Sequence, residues 1–207
     1  MCARSTSDRD AATGSRAARS GIDASTAARG AGAGAAAFVA TYVVSFLLWT
    51  FVELPEPNSF GEAFNQAVIG VVRDSVPAWQ GAGYVLFNAQ FVEVTFEGAL
   101  AESTFSIIAL ADSSLLALAY LVPPVALVAA GYVVASSPSI RGTGQSAAAG
   151  ALVVVGQLVL VIVAAFAFTA EGNAGTLSVP LANAVIVAGV VYPVVFGAIG
   201  GALAEVA

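Results

Sequence analysis

Residues 79–96 read WQGAGYVLFNAQFVEVTF, an aromatic-rich stretch between the charges of Asp74 and Glu97 that holds a single acid, Glu93. Whether it crosses a membrane, lies on one or folds outside sets the number of crossings, and with it the side every other residue faces. Residues 75–92 supply eighteen uncharged positions, at the lower edge of what a spanning helix needs. They include Ser75, Pro77, Gln80, Gly81, Gly83, Asn88 and Gln90, however, and polar groups in hydrocarbon are costly unless partnered. Tyr84, Phe87, Phe91 and Val94 recur at helical spacing, with Asn88, Gln90, Glu93 and Glu97 largely off that stripe. This pattern predicts a helix lying in the membrane interface or capping a helix bundle, with Asn88, Gln90 and Glu93 as the surface best suited to a partner. VEVTF (residues 92–96) also alternates like a strand, but no partner strand is evident.

The surrounding composition requires a membrane. Of 207 residues 58% are hydrophobic and 10% charged, against roughly 25% charged in ordinary soluble domains, and the mean hydropathy is +0.89. The seven basic residues are all Arg, thirteen acids bring the net charge to -6, and neither Lys nor His occurs. An acidic, Lys-free chain rich in Ala, Val and Gly points to a halophilic, archaeal host; a G+C-rich genome is the competing explanation. The single cysteine, Cys2, excludes an intrachain disulfide and a Cys-based metal cluster.

Working outward, residues 1–29 hold almost no large apolar side chains and read as a disordered tail, net basic through Arg4, Arg9, Arg16, Arg19 and Arg29. Four uncharged or nearly uncharged apolar runs follow, at about 30–52, 115–135, 147–170 and 179–204, each long enough for a transmembrane helix. The expected fold is therefore an all-α membrane protein: a four-transmembrane-helix bundle over residues 30–207. Four crossings put the Arg-rich tail and Arg141, in the loop 136–146, on one side, which the positive-inside rule makes cytoplasmic together with the C-terminus. Residues 53–112, with eight acids and only Arg73, are then extracytoplasmic, joined there by the short loop EGNAGTLS (171–178). Within the larger segment, Ser59 and Glu62 have capping-box spacing, and Phe60, Phe64, Val68 and Val71 follow at helical intervals, predicting a short amphipathic helix from 60 to 73. The run FSIIALA (105–111) is expected to rest at the interface or to lengthen the second span.

Small and polar residues inside the spans supply packing or hinge candidates. Pro123 and Pro124 interrupt the second span, reading as a packing kink or as a hinge with an opened carbonyl. Gly189, Pro193, Gly197 and Gly200 form a small-residue ridge on the fourth span, and the Gly197-x-x-x-Gly201 spacing permits close helix approach within the chain or in a homodimer. Gln157, in the third span, reads as an interhelical hydrogen-bonding residue. The lack of His removes Ser-His and Cys-His dyads and His-ligated metals, and the lack of Lys removes Schiff-base chemistry. No catalytic residue, metal ligand or cofactor is expected, nor an enzyme.

At YVLFNAQFVEV (84–94), LVPPVALVAAGYVVA (121–135) and VVYPVVFGAIGGAL (190–203) the chain resembles a family of small haloarchaeal integral membrane proteins of unknown function. The resemblance implies plasma-membrane residence and assigns no activity. The functional expectation is a structural or accessory membrane component acting through its acidic extracytoplasmic segment. The alternative is a small channel or transporter subunit with its site near the Pro123-Pro124 break. The expected partners are the lipid bilayer and, through the glycine ridge, a second copy or another membrane protein, with no nucleic acid.

Overall fold

The computed structural model describes residues 23–206 except 52, 99–101, 138, 139, 173 and 174. Residues 1–22 of the expected tail, Cys2 included, lie outside the described residues.

The first helix, α1 (Ala24–Phe51), begins six residues earlier than residue 30, so residues 24–29 are helix rather than tail. Asp23 starts it. Its Oδ1 accepts the Thr26 backbone N–H at 2.8 Å and the Ser25 and Thr26 hydroxyls at 2.8 and 2.9 Å. Those bonds, the backbone one foremost, pull the Asp23 carboxyl down to about 2, so it is a charged cap at a helix end that favours negative charge.

The capped helix α2 (Phe60–Ser75) forms as its sequence predicts: Ser59 Oγ accepts the Glu62 N–H at 3.2 Å, and Glu62 Oε2 accepts the Asn58 N–H at 2.6 Å. Its Ile69 and Val72 pack inward, while the Phe60, Phe64 and Val71 stripe faces outward. Arg73, at its last turn, lies 4.8 Å from the Trp49 ring centre and donates to the Trp49 carbonyl at 3.1 Å, fastening α2 to the end of α1.

After Pro77 the chain forms α3 (Ala78–Asn88), then strands β1 (Val94–Gly98) and β2 (Glu102–Phe105) and a short helix α4 (Ile107–Ala111). The second span comprises α5 (Ser114–Ala117), a 3₁₀ stretch (Leu118–Leu121) and α6 (Val122–Ala135); the third comprises α7 (Thr143–Ala151) and α8 (Val153–Ala167). Strands β3 (Ala170–Gly172) and β4 (Gly175–Ser178) precede a fourth span of α9 (Leu181–Asn183), a π-helical stretch (Ala184–Val191) and α10 (Tyr192–Leu203). These four helical stretches, with α1 the first, are long and apolar enough to cross a membrane.

Hydrogen bonds identify which ends lie together. Arg29 Nη1 donates to Ser137 Oγ at 2.6 Å, and Ser146 Oγ donates to Glu205 Oε2 at 3.1 Å, joining the starts of spans one and three to the ends of spans two and four. At the other end, β1 pairs antiparallel with both β2 and β4, giving a four-stranded sheet in the order β2-β1-β4-β3. VEVTF therefore does have strand partners, and EGNAGTLS, expected as a plain loop, supplies two of the strands. Phe96, Leu177 and Ala170 share one register row and join the core; Glu102, Glu97, Thr176 and Glu171 share the next, on the opposite face.

The bundle has two halves with different packing. Toward the arginine end, helices approach until backbone meets backbone: a Cβ on Gly131 would come within 2.8 Å of Gly197 Cα, one on Gly200 within 2.8 Å of the Val128 carbonyl carbon, and one on Gly34 within 2.9 Å of that of Val153. Toward the sheet end the spans part around α3, which is buried from residue 81 on, as are residues 89 and 90 of the turn after it. Gly81 gives room to the Trp49 indole and Gly83 to the Phe168 ring.

Gly131→Val places side-chain carbons where Gly197 backbone now lies and should lower stability by about 1–3 kcal/mol or more. Gly32, whose Cβ position meets nothing within 4 Å, is the control: Gly32→Ala should be neutral or stabilising by up to about 1 kcal/mol. Thermal unfolding in detergent compares the two.

Candidate functional site

The stretch expected to lie in the membrane interface or to cap the bundle instead enters the bundle and turns back. Its start is held at the sheet end: the Tyr42 hydroxyl donates to the Trp79 carbonyl at 3.0 Å, and Gln80 Nε2 donates to the Thr169 carbonyl at 3.1 Å, just past the third span. Its finish is far inside. Gln157 Nε2 donates to Gln90 Oε1 at 3.2 Å, and Gln157 lies ten residues, about 15 Å, before the end of α8. Thus α3 runs antiparallel to α8, and at eleven residues it is too short to cross a core of about 30 Å. β1 then carries the chain back to the sheet.

This placement corrects the expected role of two residues. Asn88 and Gln90 are 2% and 0% exposed, so they are no partner surface; Glu93 is exposed, as expected of one. Asn88 ties the turn together, its Nδ2 donating to the Val92 carbonyl at 2.8 Å and its Oδ1 accepting the Ile107 N–H at 2.7 Å. The FSIIALA run is likewise drawn inside through Ile107, Ile108 and Ala111 rather than resting on the surface or extending the second span. Gln90 Nε2 donates to the Leu86 carbonyl at 3.3 Å. Gln157, expected to bond between helices, donates instead to the turn that follows α3, and its own Oε1 and the Tyr84 hydroxyl have no hydrogen-bond partner among the described residues.

The tip meets two of the places where the spans depart from α geometry. Phe91 stacks on Tyr120 of the 3₁₀ stretch at 5.2 Å and lies 6.3 Å from Tyr192, the residue after the π-helical stretch. Both irregularities adjoin prolines. Pro123 and Pro124 occupy the first turn of α6, where a missing N–H costs little, rather than the helix interior. In the fourth span Pro193 has no N–H for the Gly189 carbonyl and its ring would crowd that group, which accounts for the wide turns that precede it. Gly197, Gly200 and Gly201 act in packing within the chain, against Gly131, Val128 and Ser146.

Beside the tip lies a cleft of ≈290 Å³ whose walls include Asn88, Phe91, Glu93, Ser106, Tyr120 and Asn183. A second, ≈200 Å³, lies between the chain before α2 and the α4 end, among Glu56, Glu62 and Asp112. Neither of these two clefts is lined by Pro124 or Gln157. Among the described residues no three His, Cys, Asp or Glu side chains are grouped to hold a metal. The signals that mark this site in sequence are the paired small residues Gly81 and Gly83 in an aromatic run, and a lone Gln157 in an apolar span needing a partner.

Gln90→Leu and Gln157→Leu each strand a buried amide and should cost about 1–3 kcal/mol. The double variant should recover part of that, with a coupling of roughly 0.5–2 kcal/mol in a double-mutant cycle.

No curated protein and no solved structure matches the chain. A family profile does, over residues 7–207. The chain therefore belongs to the family described as Family of unknown function (DUF7978).

Proposed function

We propose that the protein is a structural or accessory component of the plasma membrane of a haloarchaeon, acting through the acidic sheet end of its bundle. The observation that carries this reading is the closed packing of the arginine-end half. Where Gly131 meets Gly197 and Gly200 meets Val128, helix backbones are in direct contact, while the sheet end presents exposed Glu97, Glu102, Asp112 and Glu171. By the positive-inside rule, the end holding Arg29 and Arg141 faces the cytoplasm, with Glu205 at that same end. The α3–β1 segment is then a re-entrant element entering from outside, the side-chain amides of Asn88 and Gln90 bonded within the protein. With neither His nor Lys in the chain, the reading includes no catalytic activity.

A channel or transporter subunit is the second reading. It is favoured by one observation, the buried Gln90–Gln157 pair beside irregular turns in two spans.

Two measurements test the proposal. In a Cys2→Ser background, single cysteines at Ser137 and Ser178 should differ, an impermeant thiol reagent labelling only Ser178→Cys in intact cells; labelling of both or neither contradicts the four-span topology. Proteoliposomes holding the purified chain should show no ion flux above empty vesicles, whereas flux abolished by Gln157→Leu would favour the transport reading.

A further inference from the structure

The tip of the inserted segment inverts the usual arrangement of side chains. Gln90 is 0% exposed, whereas its neighbour Phe91 is 68% exposed. Phe91 also has φ 59°, a left-handed conformation that a bulky L residue rarely adopts. Its surroundings impose it: Gln90 N–H and Val92 N–H both donate to the Phe87 carbonyl at 3.0 Å, and Phe91 N–H donates to the Asn88 carbonyl at 3.0 Å. The Asn88 side chain closes the turn from the other side by donating to the Val92 carbonyl. The fold thus spends a strained backbone position to hold an aromatic ring out of the core.

That ring projects into the ≈290 Å³ cleft, whose lining includes the Tyr120 ring, the Glu93 carboxylate, the amides of Asn88 and Asn183 and the Ser106 hydroxyl. Glu93 is exposed there, and no arginine or other cation lines the cleft with it. Contact with lipid would account for the exposed ring, but not for the carboxylate that shares its cleft. An aromatic face with an adjacent carboxylate is the chemistry that recognises a weakly hydrated cation.

We propose that this cleft binds a small organic monocation of the quaternary-ammonium or protonated-amine class. Glu93 supplies the countercharge, the exposed Phe91 ring, backed by the Tyr120 ring stacked on it, supplies the aromatic face, and the Asn183 and Ser106 side chains meet any polar group the ligand carries. The volume fits a ligand of a few heavy atoms, at the lower end of small-molecule sites. A hard divalent ion does not suit it, because one carboxylate lines the cleft where calcium asks for about six to eight oxygens. Glu97, Glu102, Asp112 and Glu171 are exposed at the same end and add a negative field that gathers cations toward the mouth. The site holds whichever side of the membrane the cleft faces, and it stands apart from the accessory reading of the whole protein.

The test is calorimetric titration of the full-length protein in nanodiscs, at fixed ionic strength, with choline and with its neutral isostere carrying carbon in place of the charged nitrogen. Choline should bind and the isostere should not, and Glu93→Gln and Phe91→Leu should each weaken choline by roughly tenfold or more. Both substitutions fall on exposed side chains, and Phe91→Leu keeps the same backbone demand, so folding is retained. Absence of choline binding, equal binding of the neutral isostere, or an unchanged affinity in Glu93→Gln would each overturn the proposal.

Discussion

The sheet-end half of the molecule depends on one constraint, that α3 is buried between the spans from Gly81 to its end. Gly81 and Gly83 make this possible by leaving space for the rings of Trp49 and Phe168, and from 81 to 90 no residue reaches solvent. The Phe168 ring is shared: it stacks on Tyr42 at 5.8 Å and meets Phe87 edge-on at 6.2 Å, so α1, α3 and the end of the third span close around one aromatic. Remove the inserted helix and the spans, parted at this end, lose the surface they pack on. The arginine end needs no such filler, because glycines there bring backbones into direct contact.

Insertion also dictates where the polar groups go. An eleven-residue helix that ends inside a bundle leaves its last carbonyls and the turn after it to be satisfied by something other than water. Asn88 does this for the turn, bonding Val92 and the first amide of α4, while Gln90 reaches both Leu86 and Gln157. The strands then return the chain to an exposed sheet whose outer row carries Glu102, Glu97 and Glu171. One segment thereby links the interior amides, the proline-adjacent irregular turns and the acidic surface.

Features that rest on neighbouring residues were legible in the sequence. Length and hydropathy locate the four spans within a few residues, and the Ser59-Glu62 spacing locates α2, because each signal lies within the element it specifies. The Asp23 cap was just as local and was passed over, because an Ala-rich run looked like tail rather than helix. What sequence reasoning missed depends on partners far along the chain. Gln80, Asn88 and Gln90 argued against burial only while their partners at Thr169, Ile107 and Gln157 were unseen. β1 lacked a visible partner for the same reason: β4 lies about eighty residues downstream and each strand is five residues or fewer. Of the three residues singled out as a surface, Glu93 alone is exposed.

The central claim is that residues 78–98 enter the bilayer and return on the side from which they came. Spin labels at the exposed positions Trp79, Phe91, Glu93 and Glu97, placed one at a time in a Cys2→Ser background and read for immersion depth in lipid bilayers, address it directly. The predicted profile has Phe91 deepest, with Trp79 and Glu97 both shallower and on the same face of the membrane. A depth that changes steadily from Trp79 to Glu97, or the same shallow depth at all four positions, would contradict it.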